Sequence, residues 1–130
     1  MNTDKHRFGI AVALALILFG VGFVAGQQKR VAGQPKTIIH FVWVKWTANS
    51  TEAEQQRAIA GVKAMAGKIP GIKNVWLKTI RAQAPFNAAF AIEFVNQDAA
   101  DDYRDDPTHK AWDAEFQKIR ETSLSGQATN

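Results

Sequence analysis

The chain has 130 residues, 46% hydrophobic and 22% charged, an ordinary globular mixture that supports one compact domain and argues against disordered, collagen-like and coiled-coil chains. It has no cysteine, so disulfide scaffolds, thiolate nucleophiles, Cys-ligated zinc and lipobox anchoring are excluded. The formal net charge of +4 is concentrated at the start, where residues 1–35 hold four basic side chains and one acidic one; from Lys36 onward 12 basic residues face 11 acidic ones with no basic stripe, which argues against a nucleic-acid partner.

Lys5, His6 and Arg7 precede Phe8–Gly26, a run of 19 residues without a charged or polar side chain. A cleavable signal has an apolar core of about 7–15 residues and a spanning helix needs about 20, so the pattern favours an uncleaved membrane anchor. Val24-Ala25-Gly26 also offers small residues to a signal peptidase, and signal peptide and transmembrane helix both stay open. Lys29, Arg30 and Lys36 compete with Lys5 and Arg7 in setting orientation, and the reading adopted puts the domain on the extracytoplasmic side. The polar stretch Gln27–Pro35 is a tether, so the chain divides into a leader and linker, 1–35, and a domain, 36–130.

Thr37–Trp46 (TIIHFVWVKW) is the clearest strand, dense in β-branched and aromatic residues. Ile38, His40, Val42, Val44 and Trp46 share one face, and Ile39, Phe41, Trp43 and Lys45 the other, so both faces are largely apolar and the strand expects cover on each. Thr51 and Glu54 form a capping box, and Ile59, Val62, Ala66 and Ile69 continue a helix that Pro70-Gly71 stops. Lys73–Arg81 is a second strand, Gln83–Asn87 a turn, and Ala88–Val95 a third strand. Asp98 opens a second helix that breaks at Asp105-Asp106-Pro107, where Asp106 suits an N-cap and Pro107 the first helical position. The tail after Arg120 is a short last strand.

This order, β-α-β-β-α-β, is the α+β ferredoxin-like pattern, in which helices cover one face of a sheet. With strands apolar on both faces and no chain left for a second sheet, the second layer is another copy of the protein, and a homodimer with sheets face to face is expected.

Candidates for chemistry are few. His109 shares a helical stripe with Trp112, Phe116 and Ile119 and so faces the interior. It stands at the third helical position, where the dipole favours the neutral ring, while Asp106 and Asp113 push the other way. Tyr103, the only tyrosine, lies six residues earlier across the break, and His40 lies on a strand face open to helix cover. These three make a tentative catalytic set, with hydrogen-bonded core residues as the alternative. Five aspartates between 98 and 106 lack calcium-loop spacing and suit a solvated helix start. Trp43, Trp46, Trp76 and Trp112 suit core or pocket walls. No metal or cofactor is expected.

Ile39-His40-Phe41-Val42-Trp43-Val44-Lys45-Trp46, Ile69-Pro70-Gly71-Ile72, Phe90-Ala91-Ile92-Glu93-Phe94 and Tyr103-Arg104-Asp105-Asp106-Pro107-Thr108-His109 together resemble the stress-responsive dimeric α/β-barrel (Dabb) family over about residues 37–120. The resemblance implies a ferredoxin-like protomer, a dimeric α/β barrel, and no single activity. A plant polyketide cyclase of the family uses a tyrosine and a histidine in the segment similar to Tyr103–His109, with a strand histidine similar to His40. That enzyme's pocket tyrosine falls at Val62 here, and its histidine before the proline is Asp106. Three readings follow. The first is a Dabb-domain homodimer that binds a small apolar or aromatic molecule between sheet and helices. The second is a cyclase- or lyase-like enzyme with His109 as general base, Tyr103 as acid or polariser and His40 orienting the substrate. The third is a structural stress-response protein without catalysis.

Overall fold

The structure, a computed structural model, describes residues 36–129. The apolar segment 8–26, and the signal or anchor expected of it, lies outside the described residues. Among the described residues no helix is long and apolar enough to cross a membrane.

The order of elements is β1 (Ile38–Trp46), α1 (Glu52–Ala66), β2 (Ile72–Trp76), β3 (Ala88–Phe94), α2 (Gln97–Asp105), α3 (Pro107–Ile119) and β4 (Arg120–Ala128). The strands form one antiparallel sheet in the order β2-β3-β1-β4, the ferredoxin-like arrangement expected from the sequence. β1 lies inside the sheet because both its hydrogen-bonding edges are paired, one with β4 and the other with β3 from Ile38 opposite Phe94 to Val44 opposite Ala88. On its helix-facing side Ile38, Val42, Val44 and Trp46 are buried with Phe90, Ile92 and Phe94 of β3. Val62 and Met65 of α1, Ala100 and Tyr103 of α2 and Phe116 of α3 close that layer. Each such side chain contributes about 1.5–3 kcal/mol when fully buried.

The local signals act as their chemistry dictates. Thr51 Oγ1 accepts from Glu54 N while the Glu54 carboxylate accepts from Thr51 N at 2.8 Å, closing the capping box. Asp106 Oδ1 accepts from Thr108 N at 2.7 Å and Pro107 occupies the first turn of α3, so the break between α2 and α3 is a capped corner. Three boundaries differ from expectation by more than one residue. α1 ends at Ala66 on Gly67, before Pro70-Gly71, because Gly67 N–H already closes the last turn on Met65 O. Gly71 instead makes the turn into β2 at φ +84, where a Cβ would meet Ala99 Cβ at 2.4 Å. β2 stops at Trp76, and β4 is a nine-residue strand paired with β1 along its length. The β4 tail has weak strand propensity; its pairing with the long strand β1 holds it in place.

The other face of the sheet is bare within one chain. Phe41, Trp76 and Leu124 are 37%, 46% and 57% exposed, and an open groove of about 520 Å³ runs past Phe41, Trp43, Trp76 and Ile80.

Candidate functional site

Between the helix-covered face of β1 and β4 and the corner joining α2 to α3 lies a cavity of about 370 Å³, within the usual size range of small-molecule sites. His40, Tyr103 and His109 all line it. Tyr103 arrives from the last turn of α2 and His109 from the first turn of α3, and the Asp106-Pro107 corner folds one onto the other. Their ring centroids are 4.1 Å apart. His40 approaches from β1, its ring centroid 6.3 Å from that of Tyr103.

Tyr103 is 6% exposed. Burial, and then the negative charge of Asp113, push its pKa well above the ordinary phenol value, since both penalise a phenolate. Its hydroxyl therefore keeps its proton and serves as a donor. For His40 burial is the leading influence and lowers the pKa; the hydrogen bond with the Gly126 backbone works the other way, and repulsion from Arg104, and from His109 whenever that ring is protonated, lowers it further. The ring is neutral at neutral pH, and its buried Nδ1 has no hydrogen-bond partner among the described residues. A buried polar atom left without a partner is costly, so this nitrogen is a place for a ligand group or water to bind. His109 Nδ1 lies 3.4 Å from the Arg104 carbonyl oxygen. A carbonyl only accepts, so a hydrogen bond here requires the proton on Nδ1, the tautomer whose lone pair is on Nε2.

The wall opposite β4 is aromatic. The Trp112 indole stacks on Phe116 at 4.7 Å and 15°, and Phe90 meets both rings edge-on. Trp112 Nε1 donates to Ala58 O at 2.8 Å, which fixes the indole and satisfies its only donor. Of the four tryptophans weighed as core or pocket walls, Trp112 alone lines this cavity. Val62 is fully buried core and is not part of the lining.

Sequence reasoning missed Arg104, Arg120, Ser123, Ser125 and Gln127 as lining residues and weighed Asp113 only as a charge near His109. The period-two row Ser123, Ser125, Gln127 was visible in the sequence as one polar strand face. Nothing in the sequence placed Arg120 beside it. Counting by two from Ser123 sends Glu121 to that face and Arg120 to the other. The register with β1 shifts between Lys45 and Trp46, so Thr122 pairs with Lys45 and Arg120 with Trp46. The extra residue, Glu121, is a bulge that turns Arg120 back to the cavity side. Among the described residues no group of three or more His, Cys, Asp or Glu side chains is placed to hold a metal ion.

Comparison with known proteins places this geometry. The model of the Stress responsive A/B Barrel Domain family, Dabb, matches residues 38–126. No curated protein matches the chain. A Dabb family protein of ferredoxin-like fold from Mesorhizobium loti is similar in structure at 24% identity and TM-score 0.62, covering 72% of this chain and 96% of that one. Hydroxynitrile lyase from Passiflora edulis is similar at 16% identity and TM-score 0.67, over 74% of this chain and 94% of that one. A dimeric protein of ferredoxin-like fold from Bacteroides fragilis is similar at 20% identity and TM-score 0.59, over 75% and 99%. At these identities the likeness carries the fold.

Proposed function

The chain belongs to the Dabb family, and from that premise we propose that its cavity binds a small, largely aromatic molecule carrying one polar group. The observation that carries this reading is the composition of the cavity itself: about 370 Å³ of space with stacked aromatic rings on one side and the unpartnered His40 Nδ1 on the other. Aromatic walls supply affinity by burying a ring, and few polar groups supply orientation. The test is to titrate the full-length protein with neutral 2-naphthamide while following the ring signals of His40, Tyr103 and His109 by NMR. Saturable shifts of all three support the reading; unmoved rings at millimolar probe overturn it.

A second reading, acid–base catalysis, rests on the pairing of a phenol held protonated with a neighbouring imidazole. Tyr103 would donate a hydrogen bond to a substrate carbonyl oxygen, His109 Nε2 would take a proton from the adjacent carbon, and His40 would orient the substrate. His109→Asn and Tyr103→Phe should then each abolish exchange of the α-protons of an aryl ketone into deuterated water while the circular dichroism spectrum is unchanged. Exchange at the original rate in either variant overturns this mechanism.

The bare sheet face supports a homodimer with the two sheets packed against each other. Phe41, Trp76 and Leu124 leave large apolar side chains exposed on this face, as interaction surfaces do, and the Bacteroides fragilis relative is dimeric. The apolar run from Phe8 to Gly26 further supports a protein tethered at, or exported across, a membrane with this cavity on the extracytoplasmic side; protease protection in intact cells would contradict that placement.

A further inference from the structure

The cavity has an unusual division of labour. One wall is aromatic, and the other is formed by β4 and is polar: Arg120, Ser123 and Ser125 all face it. Arg120 is the residue that the bulge at Glu121 turns inward. Its Nε is fully buried and donates to nothing among the described residues, and no carboxylate there lies in ion-pair contact with its guanidinium. Phe116 supports the guanidinium carbon at 5.6 Å from its ring centroid, a cation–π contact that holds the plane in place without consuming a single N–H. The C-terminus of α3 offers only a partial negative charge, and Nε bonds none of its carbonyls.

The remaining charges do not cancel Arg120. Arg104 also lines the cavity, and its guanidinium is 3.6 Å from Asp101 in an exposed pair. Asp113 is the one acid in the lining, and its carboxylate already accepts from Gln117 Nε2. Arg104 is thus already paired, and Asp113, bonded to Gln117, makes no ion pair with Arg120, while burial keeps the neighbouring His40 uncharged. A buried guanidinium donor with no acceptor is a costly arrangement in the empty site and becomes favourable when an anion supplies the acceptor.

We propose that the cavity is specific for an aromatic carboxylic acid, its ring against Trp112 and Phe116 and its carboxylate received by Arg120 with the Ser123 hydroxyl. This rests on the reading of the cavity as an aromatic ligand site and adds the charge of the ligand. A carboxylate fits better than a phosphate monoester, because one planar fork and a hydroxyl match two coplanar oxygens and a single negative charge. It also places the acid at the β4 end of the site, and the rest of the molecule toward His40, Tyr103 and His109.

The experiment compares isosteric probes on the full-length protein: 2-naphthoate, 2-naphthamide and 2-naphthyl phosphate, each titrated with the Arg120 Nε–H signal and the three ring signals followed by NMR. The expected result is tighter binding of the naphthoate than of the amide by about tenfold or more, as for a charge-assisted hydrogen bond, with the Arg120 Nε–H moving for the naphthoate alone. In Arg120→Gln the preference should vanish while the amide binds as before; the direct Nε–H signal serves should that variant fail to fold. Equal binding of naphthoate and amide overturns the carboxylate assignment and leaves the aromatic site standing. Tighter binding of the phosphate also overturns it. Silence of every ring signal to all three probes removes the site and this inference together.

Discussion

The contact between α1 and the pocket wall offers a sharp test of the packing, because there a single methyl group should reverse an ordinary propensity rule. Gly61 sits inside α1, where alanine ordinarily gains about 1 kcal/mol. A Cβ at Gly61 would lie 2.5 Å from Cδ1 and 2.8 Å from Nε1 of Trp112, against about 3.5–4.0 Å for comfortable contact. The indole must retreat by about 1 Å. It is not free to do so, since its Nε1 is bonded to Ala58 O at 2.8 Å and its face is stacked on Phe116 at 4.7 Å. Overpacking of this kind costs about 1–3 kcal/mol, and the anchored ring belongs at the upper end, so Gly61→Ala should destabilise by about 1–2 kcal/mol after the propensity gain. In a Trp112→Ala background the obstacle is gone, and Gly61→Ala should stabilise by about 1 kcal/mol. Urea denaturation followed by far-UV circular dichroism at one fixed protein concentration reads both numbers, the fixed concentration removing any contribution from association. A higher urea midpoint for Gly61→Ala in the otherwise unchanged protein would refute the reasoning.

Three further outcomes are expected. The folded-state pKa of His40 lies below its unfolded value of 6.5, so the unfolded chain binds more protons in that window; the stability contributed by the neutral ring is complete above 6.5 and is lost as pH falls through 6.5 toward the folded value. His40→Gln should flatten the dependence of the urea midpoint on pH between about 5 and 7, and an unchanged slope would refute this. Leu124→Arg should convert the proposed homodimer to a monomer in sedimentation velocity without loss of secondary structure, because it puts a charge on the bare sheet face; a dimer of undiminished affinity would place the interface elsewhere. Thr51→Ala removes one half of the capping box and should cost about 1 kcal/mol in the same urea assay, with no change in probe binding at the distant cavity.

Much of the architecture was legible because it depends on local chemistry. The apolar faces of Ile38–Trp46 marked a strand, the Thr51–Glu54 pair marked the start of α1, and Asp106-Pro107 marked the corner between α2 and α3; in each case the determining groups lie within a few residues of one another. His109, Tyr103 and His40 were picked out for the same reason, by face and by spacing. What the sequence could not reveal was long-range pairing. Lys73–Arg81 read as strand throughout, yet β2 ends at Trp76, and the unpromising tail became a full strand because β1 had an open edge for it.

Arg120 makes the same point at the level of function. By alternation alone it belongs on the face away from His40, and only the bulge opposite Lys45 and Trp46 brings it into the cavity. A bulge arises from how two strands 76 residues apart in sequence, such as those carrying Lys45 and Glu121, fit their hydrogen-bond ladders together. Sequence alone determined which residues prefer helix or strand, where helices begin, and which faces are apolar, since these follow from the side chain and its near neighbours. Tertiary structure alone decided that Arg120 enters the cavity, since that follows from register, which is a property of the pair of strands and of neither strand by itself.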